Sequence, residues 1–316
     1  MQLDKVDKKI LAALVQNARQ PMNRIAKNAS VSKSTVLYRI KKLEEHGIIT
    51  GYKTLINYDM FGTMYGRAQF KLSNVSTEQQ QAIIGELQRV QAIDWLATTQ
   101  GIADIACTIS TDSFTDMARI LGEIQAKIGK KIKSQEVSFG YKVYHCAPNV
   151  ILPTFIEPIT RTYSGKQQET QAFDRELLAS LEKNATQSIL SLAQQLNVST
   201  KRVMAHKKHL EEANVIRRYT VELDTNKLGY ETYHIFWTFN EFSPQHIEQF
   251  IQHLALLPET IYITQAHGRA NLECEFLVPN QRKLYALVEQ LKHQFPKLIS
   301  DYEYFLTYRV YKTQRA

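Results

Sequence analysis

The sequence has little cysteine and no long apolar run. Its three cysteines, Cys107, Cys146 and Cys274, are scattered and odd in number, which argues against a disulfide framework and suits a reducing cytoplasm. No stretch approaches the ~18 consecutive apolar residues of a membrane span. The charged N-terminus lacks the apolar core of a signal peptide. We therefore expect a cytoplasmic protein without a membrane segment.

Motifs of common enzymes and metal sites are also absent from the sequence. It contains no GxSxG, P-loop, HExxH or paired-carboxylate spacing. No cysteine stands at zinc-site spacing from a second cysteine or a histidine. Lone histidines such as His234 and His267 are more often ordinary core or surface residues. We expect no catalytic residue, no metal and no cofactor.

The net charge of +8 is distributed unevenly along the chain. Residues 1–57 hold 11 Lys and Arg against 4 Asp and Glu, and so carry +7. Residues 173–224 carry only +1, and the remaining segments are neutral. A basic face that is merely solvated would spread its charge more evenly. The concentration favours double-stranded DNA as the partner of the first segment.

Residues 31–49 have the pattern of a DNA-recognition helix that leads into a wing. Ser32 is a good N-cap, and Val36, Ile40 and Leu43 form one apolar stripe at helical spacing. The other face carries donors for phosphates and base edges. The predicted DNA-binding residues are Ser32, Lys33, Ser34, Thr35, Tyr38, Arg39, Lys41 and Lys42.

Among these residues, Arg39 is the best candidate for reading a base, because its fork can bind guanine bidentately. Lys33, Lys41 and Lys42 are predicted to meet phosphates. Replacing Arg39 should then cost sequence discrimination, whereas replacing Lys42 should weaken binding to every DNA. The alternative is a solvated face that contacts nothing.

The segments around this helix predict two domain types. Helical patterns at 3–17, where Asp4 can act as the cap, and at 23–29 complete a winged helix-turn-helix over residues 1–57. Residues 58–150 follow the order βαββαβ of a ferredoxin-like domain, with helices on one face of an antiparallel sheet. Proline-containing residues 151–172 are predicted to form a linker.

The sequence then repeats. Asp7 corresponds to Asp174 and Cys107 to Cys274, an offset of 167 residues that holds without a gap. We therefore predict a tandem duplication, with a second winged helix at 173–224 and a second ferredoxin-like domain at 225–316. The fold class is α+β.

The second copy departs from the first in its recognition helix. Lys207 stands where the first copy has the apolar Ile40. Because burying an unpaired ammonium is costly, Lys207 must snorkel or the helix must pack differently. With +1 of net charge this copy is predicted to bind DNA more weakly, and a structural role is equally open. Its candidate contacts are Ser199, Lys201, Arg202 and His206.

The segments LDKVDKKILAALVQNAR and SKSTVLYRIKKLEEHGII and the turn from Gly101 to Asp104 resemble the Lrp/AsnC family of prokaryotic transcription regulators. The resemblance covers both copies. It implies a winged helix-turn-helix followed by an αβ domain that pairs with another and binds an amino acid or similar metabolite. The pairing is either internal, as a pseudo-dimer, or with a second chain, as a homo-oligomer.

The resemblance also implies effector-binding positions. These are Gly101, Asp104 and their equivalents Gly268 and Asn271. Because Asp104 can pair with an amino group and Asn271 lacks that charge, the two pockets should differ. A structural role in a hairpin turn is the alternative for both glycines.

We therefore expect a sequence-specific DNA-binding transcription regulator that responds to a small metabolite. Two other functions are open. Siroheme decarboxylases resemble the same two-domain unit, although their recognition-type helix need not be basic. The other function is that of an assembly module that bridges regulators without binding DNA. The net charge of +7 on residues 1–57 argues against this function.

Overall fold

The computed structural model describes residues 2–162, 171–240 and 243–313. Its α-helices are α1 (Lys5–Gln16), α2 (Met22–Ala29), α3 (Lys33–Glu45), α4 (Thr77–Gln88), α5 (Phe114–Ile128), α6 (Ala172–Lys183), α7 (Ile189–Gln195), α8 (Thr200–Glu212), α9 (Pro244–Leu256) and α10 (Gln281–Gln294). Its strands are β1 (Ile49–Ile56), β2 (Met64–Leu72), β3 (Ile93–Gly101), β4 (Ile105–Thr111), β5 (Ile132–His145), β6 (Ile159–Thr162), β7 (Ile216–Leu223), β8 (Glu231–Phe239), β9 (Thr260–His267), β10 (Leu272–Val278) and β11 (Ile299–Lys312).

The two copies have the same order of elements, as the repeat predicts, and the winged helices and βαββαβ domains are both present. The start of α1 shows why local sequence predicts these elements well. Asp4 Oδ1 accepts the N–H groups of Val6 and Asp7 at 2.8 Å each, and Asp7 Oδ2 accepts the Asp4 N–H at 3.1 Å. This reciprocal pair is a capping box.

The predicted linker is partly regular. Residues 159–162, which follow Pro158, form β6 beside β5. Their sequence, Ile-Thr-Arg-Thr, is rich in β-branched residues that suit a strand. Ile151, Leu152 and Ile156 are buried, so this part of the segment packs on a domain. Residues 163–170 of the predicted linker lie outside the described residues.

The described parts of residues 1–61, 147–159 and 165–230 form one compact unit, called here the winged-helix unit. It contains both winged helices, whose wings β1 and β7 pair as an antiparallel ladder. Lys53 lies opposite Thr220 in that ladder, and these two residues occupy the same position in the two copies. A pseudo-two-fold axis therefore passes between them, and the two winged helices form an internal pseudo-dimer.

The cores of the two winged helices are interleaved. Val221 of the second copy lies in the first core, and Ala18 and Ile56 of the first copy lie in the second. Backbone hydrogen bonds repeat about the axis: the Ala18 N–H donates to the Tyr219 carbonyl at 2.9 Å, and the Ala185 N–H donates to that of Tyr52 at 3.1 Å. Each winged helix thus completes the fold of the other.

The described parts of residues 62–146, 160–164 and 231–316 form a second compact unit, called here the αβ unit. The strand orders β5-β2-β4-β3 and β11-β8-β10-β9 are ferredoxin-like in both copies. β3 pairs with β11 and β9 pairs with β5, so the two sheets join at both edges. Eight strands close into one ring, with β6 as an addition beside β5.

Each strand of the ring has one face toward the helices and one toward the interior. Phe70 and Ile105 pack on α4 and α5, and Trp237 and Leu272 pack on α9 and α10 in the second copy. The interior holds a small cluster that includes Phe236 and Phe305. The period-two alternation of the strands separates these two faces.

Within the described ranges, no helix is both long and apolar enough to cross a bilayer. All three cysteines are buried, and none of them forms a disulfide.

Candidate DNA-binding surface

The recognition helix α3 is positioned by its predicted apolar stripe. Val36 and Leu43 are fully buried and Ile40 nearly so, all in the core of the first winged helix. Ser32 begins the helix, since its Oγ accepts the Thr35 N–H at 3.1 Å. The stripe and the cap fix which face of α3 turns outward.

The outward face of α3 carries most of the predicted DNA contacts. Ser32, Lys33, Ser34 and Lys41 are exposed, and the side chain of Tyr38 is 64% exposed. The Ser32 hydroxyl also lies 2.7 Å from that of Ser34 and 2.8 Å from that of Thr35, at the helix N-terminus. Such a terminus offers N–H groups and a positive dipole end to a phosphate. The predicted residues thus lie together on one surface, with Thr35, Arg39 and Lys42 partly buried at its margin.

Arg39 has a different environment from the one that the sequence predicts. Its guanidinium donates to Asp4 and, at 3.0 Å, to Oδ1 of the buried Asp7. The Asp7 N–H and the Arg39 guanidinium hold the pKa of Asp4 below its usual value. The physical reason is tertiary: α1 brings two carboxylates against this side of α3. We call this arrangement the Arg39 clamp.

The second copy has an equivalent contact, with histidine in the place of arginine. His206 Nδ1 lies 2.7 Å from Oδ1 of the buried Asp174, the counterparts of Arg39 and Asp7. Lys201 and Arg202 are both exposed, and the Arg202 guanidinium lies over the Phe173 ring, 4.5 Å from its centre. Of the candidates in the second copy, Arg202 and His206 therefore have structural partners in α6.

Lys207 is accommodated as the sequence requires. Its Nζ donates to Glu211 at 2.6 Å and lies 5.3 Å from the centre of the Tyr219 ring. The Tyr219 hydroxyl donates to the same carboxylate at 2.8 Å. In the first copy the equivalent bond joins Tyr52 to Glu44 at 2.6 Å, so a tyrosine of the wing holds the recognition helix in both copies.

One pair of exposed lysines is matched between the two recognition helices. Lys41 lies 3.7 Å from Glu45, and its side chain is 75% exposed. The equivalent Lys208 lies 3.6 Å from Glu212, and its side chain is 74% exposed. These two lysines have the same position, a similar exposure and a similar ion pair, which makes them a matched comparison.

Sequence reasoning missed an apolar position on the outward faces. Leu37 is 48% exposed on α3, and its equivalent Met204 is 52% exposed on α8. An exposed apolar side chain on a recognition helix suits contact with a thymine methyl group. The available signal was that neither residue belongs to the buried stripe.

The turns before the recognition helices are left-handed without glycine. Ser30 has φ of +59° and Asn197 has φ of +52°. Asparagine adopts this conformation more readily than serine, so the first copy carries the more strained turn.

The predicted effector positions lie in the αβ unit at the tips of two hairpins. Gly101 and Gly268 have φ of +129° and +135°. A Cβ atom on Gly101 would lie 2.7 Å from the Tyr304 carbonyl oxygen, and one on Gly268 would lie 2.4 Å from that of Val137. Both glycines allow the strand of the other copy to approach closely, which explains them without a ligand.

Asp104 is held by groups of its own copy. Its Oδ1 accepts a hydrogen bond from the Lys71 ammonium at 2.8 Å, and its Oδ2 accepts one from the Leu72 N–H at 2.8 Å. Lys71 also donates to the Gly101 carbonyl at 3.0 Å. The equivalent Asn271 is partly buried, and threonine replaces Lys71 in that copy. Only the first copy therefore has an ion pair at this position.

Known proteins share both the local and the overall organisation of this chain. A family model described as winged helix-turn-helix DNA-binding matches residues 3–50 and 171–217, one winged helix in each copy. An uncharacterized HTH-type transcriptional regulator of Pyrococcus furiosus is 31% identical over 129 residues, which span 39% of this chain and 82% of that protein. The proline dehydrogenase transcriptional activator of Rhodobacter capsulatus is 28% identical over 125 residues, or 38% of this chain and 79% of that protein.

Among solved structures, the siroheme decarboxylase NirDL superposes with a TM-score of 0.65 at 15% identity, over 98% of this chain and 93% of that one. This likeness shows a shared fold. The regulator of Pyrococcus furiosus is matched over most of its length by less than half of this chain, in agreement with the duplication. The chain belongs to the winged helix-turn-helix transcription regulators, and its sequence resembles the Lrp/AsnC family among them.

Proposed function

We propose that this protein is a transcription regulator that binds a specific DNA sequence through two unlike recognition helices carried by one chain. The observation that carries the proposal is the winged-helix unit, in which α3 and α8 are related by a pseudo-two-fold axis. Two-fold regulators bind palindromic operators because their recognition helices are identical. Here the helices differ, so the operator should consist of two different half-sites.

The charges of the two copies support an unequal division of the binding. Residues 1–57 carry +7 and residues 173–224 carry +1. Tyr38 on α3 is replaced by Ala205 on α8, which removes a large exposed side chain with a hydrogen-bonding hydroxyl. We expect α3 to supply most of the phosphate contacts and most of the base contacts.

Arg39 acts in this proposal chiefly as a positioning residue. The clamp engages its guanidinium with Asp4 and Asp7. Reading a guanine would require the guanidinium to leave a buried carboxylate without its charged partner, which is costly. Leu37, Tyr38 and Lys41 are the exposed alternatives for contacts to DNA.

The test begins with selection from a library of random duplexes on the intact chain. The recovered sequence is then compared with a scrambled duplex in fluorescence anisotropy at several salt concentrations. Lys41→Ala and Lys208→Ala remove the same charge from matched sites. We expect Lys41→Ala to lower affinity by about tenfold and to reduce the salt slope by about 1, with a clearly smaller effect of Lys208→Ala.

The outcomes separate the parts of the proposal. A strictly palindromic selected sequence, or equal effects of Lys41→Ala and Lys208→Ala, would contradict the unequal helices and leave DNA binding intact. Failure to enrich any sequence, with equal affinity for all duplexes, would contradict sequence-specific binding.

We extend the proposal to an amino-acid effector in the first copy of the αβ unit. The Lys71 ammonium and the Asp104 carboxylate, 2.8 Å apart and about one-third exposed, are the counter-charges of the two ends of an amino-acid zwitterion. A ligand would have to exchange with this ion pair.

Thermal shifts with a panel of amino acids at millimolar concentration test the idea. Lys71→Ala should abolish any shift, whereas Thr238→Ala at the equivalent position should not; no shift with any amino acid would count against it.

A further inference from the structure

A cluster of buried charges lies inside the strand ring of the αβ unit. The Arg67 guanidinium lies 2.8 Å from His234 Nδ1 and donates to Glu275 Oε1 at 3.1 Å, and its Nε lies 3.4 Å from Glu273 Oε2. The Ser138 hydroxyl donates to Glu273 as well. His234 Nδ1 also lies 3.2 Å from Glu275 Oε1, and its Nε2 lies 3.1 Å from Glu273 Oε2. Glu273 and His234 are almost completely buried.

The cluster lies on the pseudo-two-fold axis of the αβ unit. Arg67 and His234 occupy the same position in the two copies, 167 residues apart, and they touch each other. Two equivalent groups meet in this way only at an axis. Side chains of both copies therefore meet in this cluster.

The two copies contribute unlike charges to the cluster. The first copy supplies the arginine, whereas both carboxylates come from the second. At the positions equivalent to Glu273 and Glu275 the first copy has Ala106 and Thr108. The charge of the first copy therefore complements the charges of the second copy across the axis, whereas two first copies or two second copies would bring like charges together.

The ionisation of the two carboxylates depends on this complementarity. Burial by itself would raise the pKa of Glu273, but the hydrogen bond from His234 and the charge of Arg67 hold it below its usual value. Burial likewise opposes ionisation of Glu275, yet His234 and Arg67 lower its pKa to about 2. Both carboxylates stay charged in the interior because a group of the other copy and their own His234 stabilise them.

We infer that these buried charges make the αβ domains complementary as unlike partners, so that a first-copy domain accepts a second-copy domain and rejects another first-copy domain. A pair of first copies would bring two arginines together at the axis without a carboxylate from these positions. A pair of second copies would bury four carboxylates around two histidines. Leaving such charges without counter-charges is strongly destabilising.

The rejected pairings can be imitated inside the intact chain. The triple variant His234→Arg, Glu273→Ala and Glu275→Thr gives the second copy the residues of the first, and so creates the arginine-rich set. Arg67→Met leaves the carboxylates without arginine. A neutral set, Arg67→Met with Glu273→Gln and Glu275→Gln, removes the charges at nearly constant size. Arg119→Met, which removes an exposed arginine from α5, is the matched control.

Urea unfolding followed by tryptophan fluorescence reports this unit, because Trp95 and Trp237, the two tryptophans of the chain, both lie in it. We expect the arginine-rich set and Arg67→Met each to shift the folding equilibrium by roughly 100-fold toward the unfolded state. The neutral set should recover most of that loss, and Arg119→Met should have no effect. Recovery by the neutral set supports the inference even if the other two variants fail to fold.

Two results would overturn it. One is an arginine-rich set that unfolds at the same urea concentration as the unaltered chain. The other is a neutral set that is no more stable than Arg67→Met, because packing alone would then account for the losses.

Discussion

Removal of the Arg39 clamp is the change whose size the structure defines best. In Arg39→Ala, Asp7 Oδ1 loses a charge-assisted bond of 3.0 Å while its side chain remains 2% exposed. A hydrogen bond to a charged group contributes about 1.5–3 kcal/mol. Because the Arg39 side chain is 28% exposed and therefore partly screened, we expect Arg39→Ala to lower the free energy of unfolding by about 2 kcal/mol. For a unit of this size that corresponds to about 4–8 °C in Tm.

The assay follows the two units separately. Circular dichroism or calorimetry follows the unfolding of both units, whereas tryptophan fluorescence follows the αβ unit alone, so a transition without a fluorescence change reports the winged-helix unit. Arg24→Ala, which removes an exposed arginine from the neighbouring α2, is the control and should leave Tm unchanged. A double-mutant cycle with Asp7→Asn should show coupling of about 1 kcal/mol or more between the two side chains.

DNA binding separates the clamp from base reading. If Arg39 positions α3, Arg39→Ala should weaken binding to selected and scrambled duplexes by similar factors, together with the loss of stability. An unchanged Tm with a selective loss on the selected duplex would refute the clamp and restore Arg39 as a base-reading residue.

Three further predictions concern the αβ unit and the function. The pKa of Glu275 in the folded protein, about 2, lies below its usual value of about 4.3. The ionised carboxylate therefore stabilises the fold fully above about pH 4.3, and this stabilisation is lost as the pH falls toward 2. The urea midpoint measured by tryptophan fluorescence should fall between pH 5 and 3, and the midpoint of the neutral set should fall much less. Gly101→Ala should lower the free energy of unfolding by more than about 2 kcal/mol, since its Cβ would meet the Tyr304 carbonyl. Gly85→Ala, on open surface in α4, should be neutral or stabilising by up to about 1 kcal/mol; equal effects of the two glycine variants would contradict the close approach. Titration with an iron porphyrin should produce no shifted Soret absorbance, and saturable uptake would instead support the tetrapyrrole function.

Features that depend on local patterns were predicted well from the sequence. The caps Asp4 and Ser32 and the stripe of Val36, Ile40 and Leu43 follow from neighbouring residues, and the structure has them as predicted. The ferredoxin-like strand order follows from the order of the elements. The cost of burying an ammonium predicted that Lys207 would snorkel or that its helix would pack differently, and in the structure the ammonium binds Glu211.

Features that depend on contacts between distant segments were not predicted. The pairing of β3 with β11 leaves no signature in either strand, so the closed ring emerged only in the structure. The environment of Arg39 depends on how α1 packs against α3, which periodicity does not specify. The direct DNA contacts and the effector site stay predictions, and for Asp104 the structure supplies a competing partner in Lys71.

The interleaved cores of the winged-helix unit have a consequence for how occupancy depends on protein concentration. A regulator made of two separate chains must associate before it presents two recognition helices, so at low expression its active form grows with the square of the chain concentration. Here both helices are delivered by one polypeptide, joined through β1 and β7. Because the two recognition helices belong to one chain, dilution does not separate them. If one chain binds each operator, occupancy should rise as a simple hyperbola with the concentration of the protein, whereas binding that requires two chains would give a steeper, sigmoidal curve.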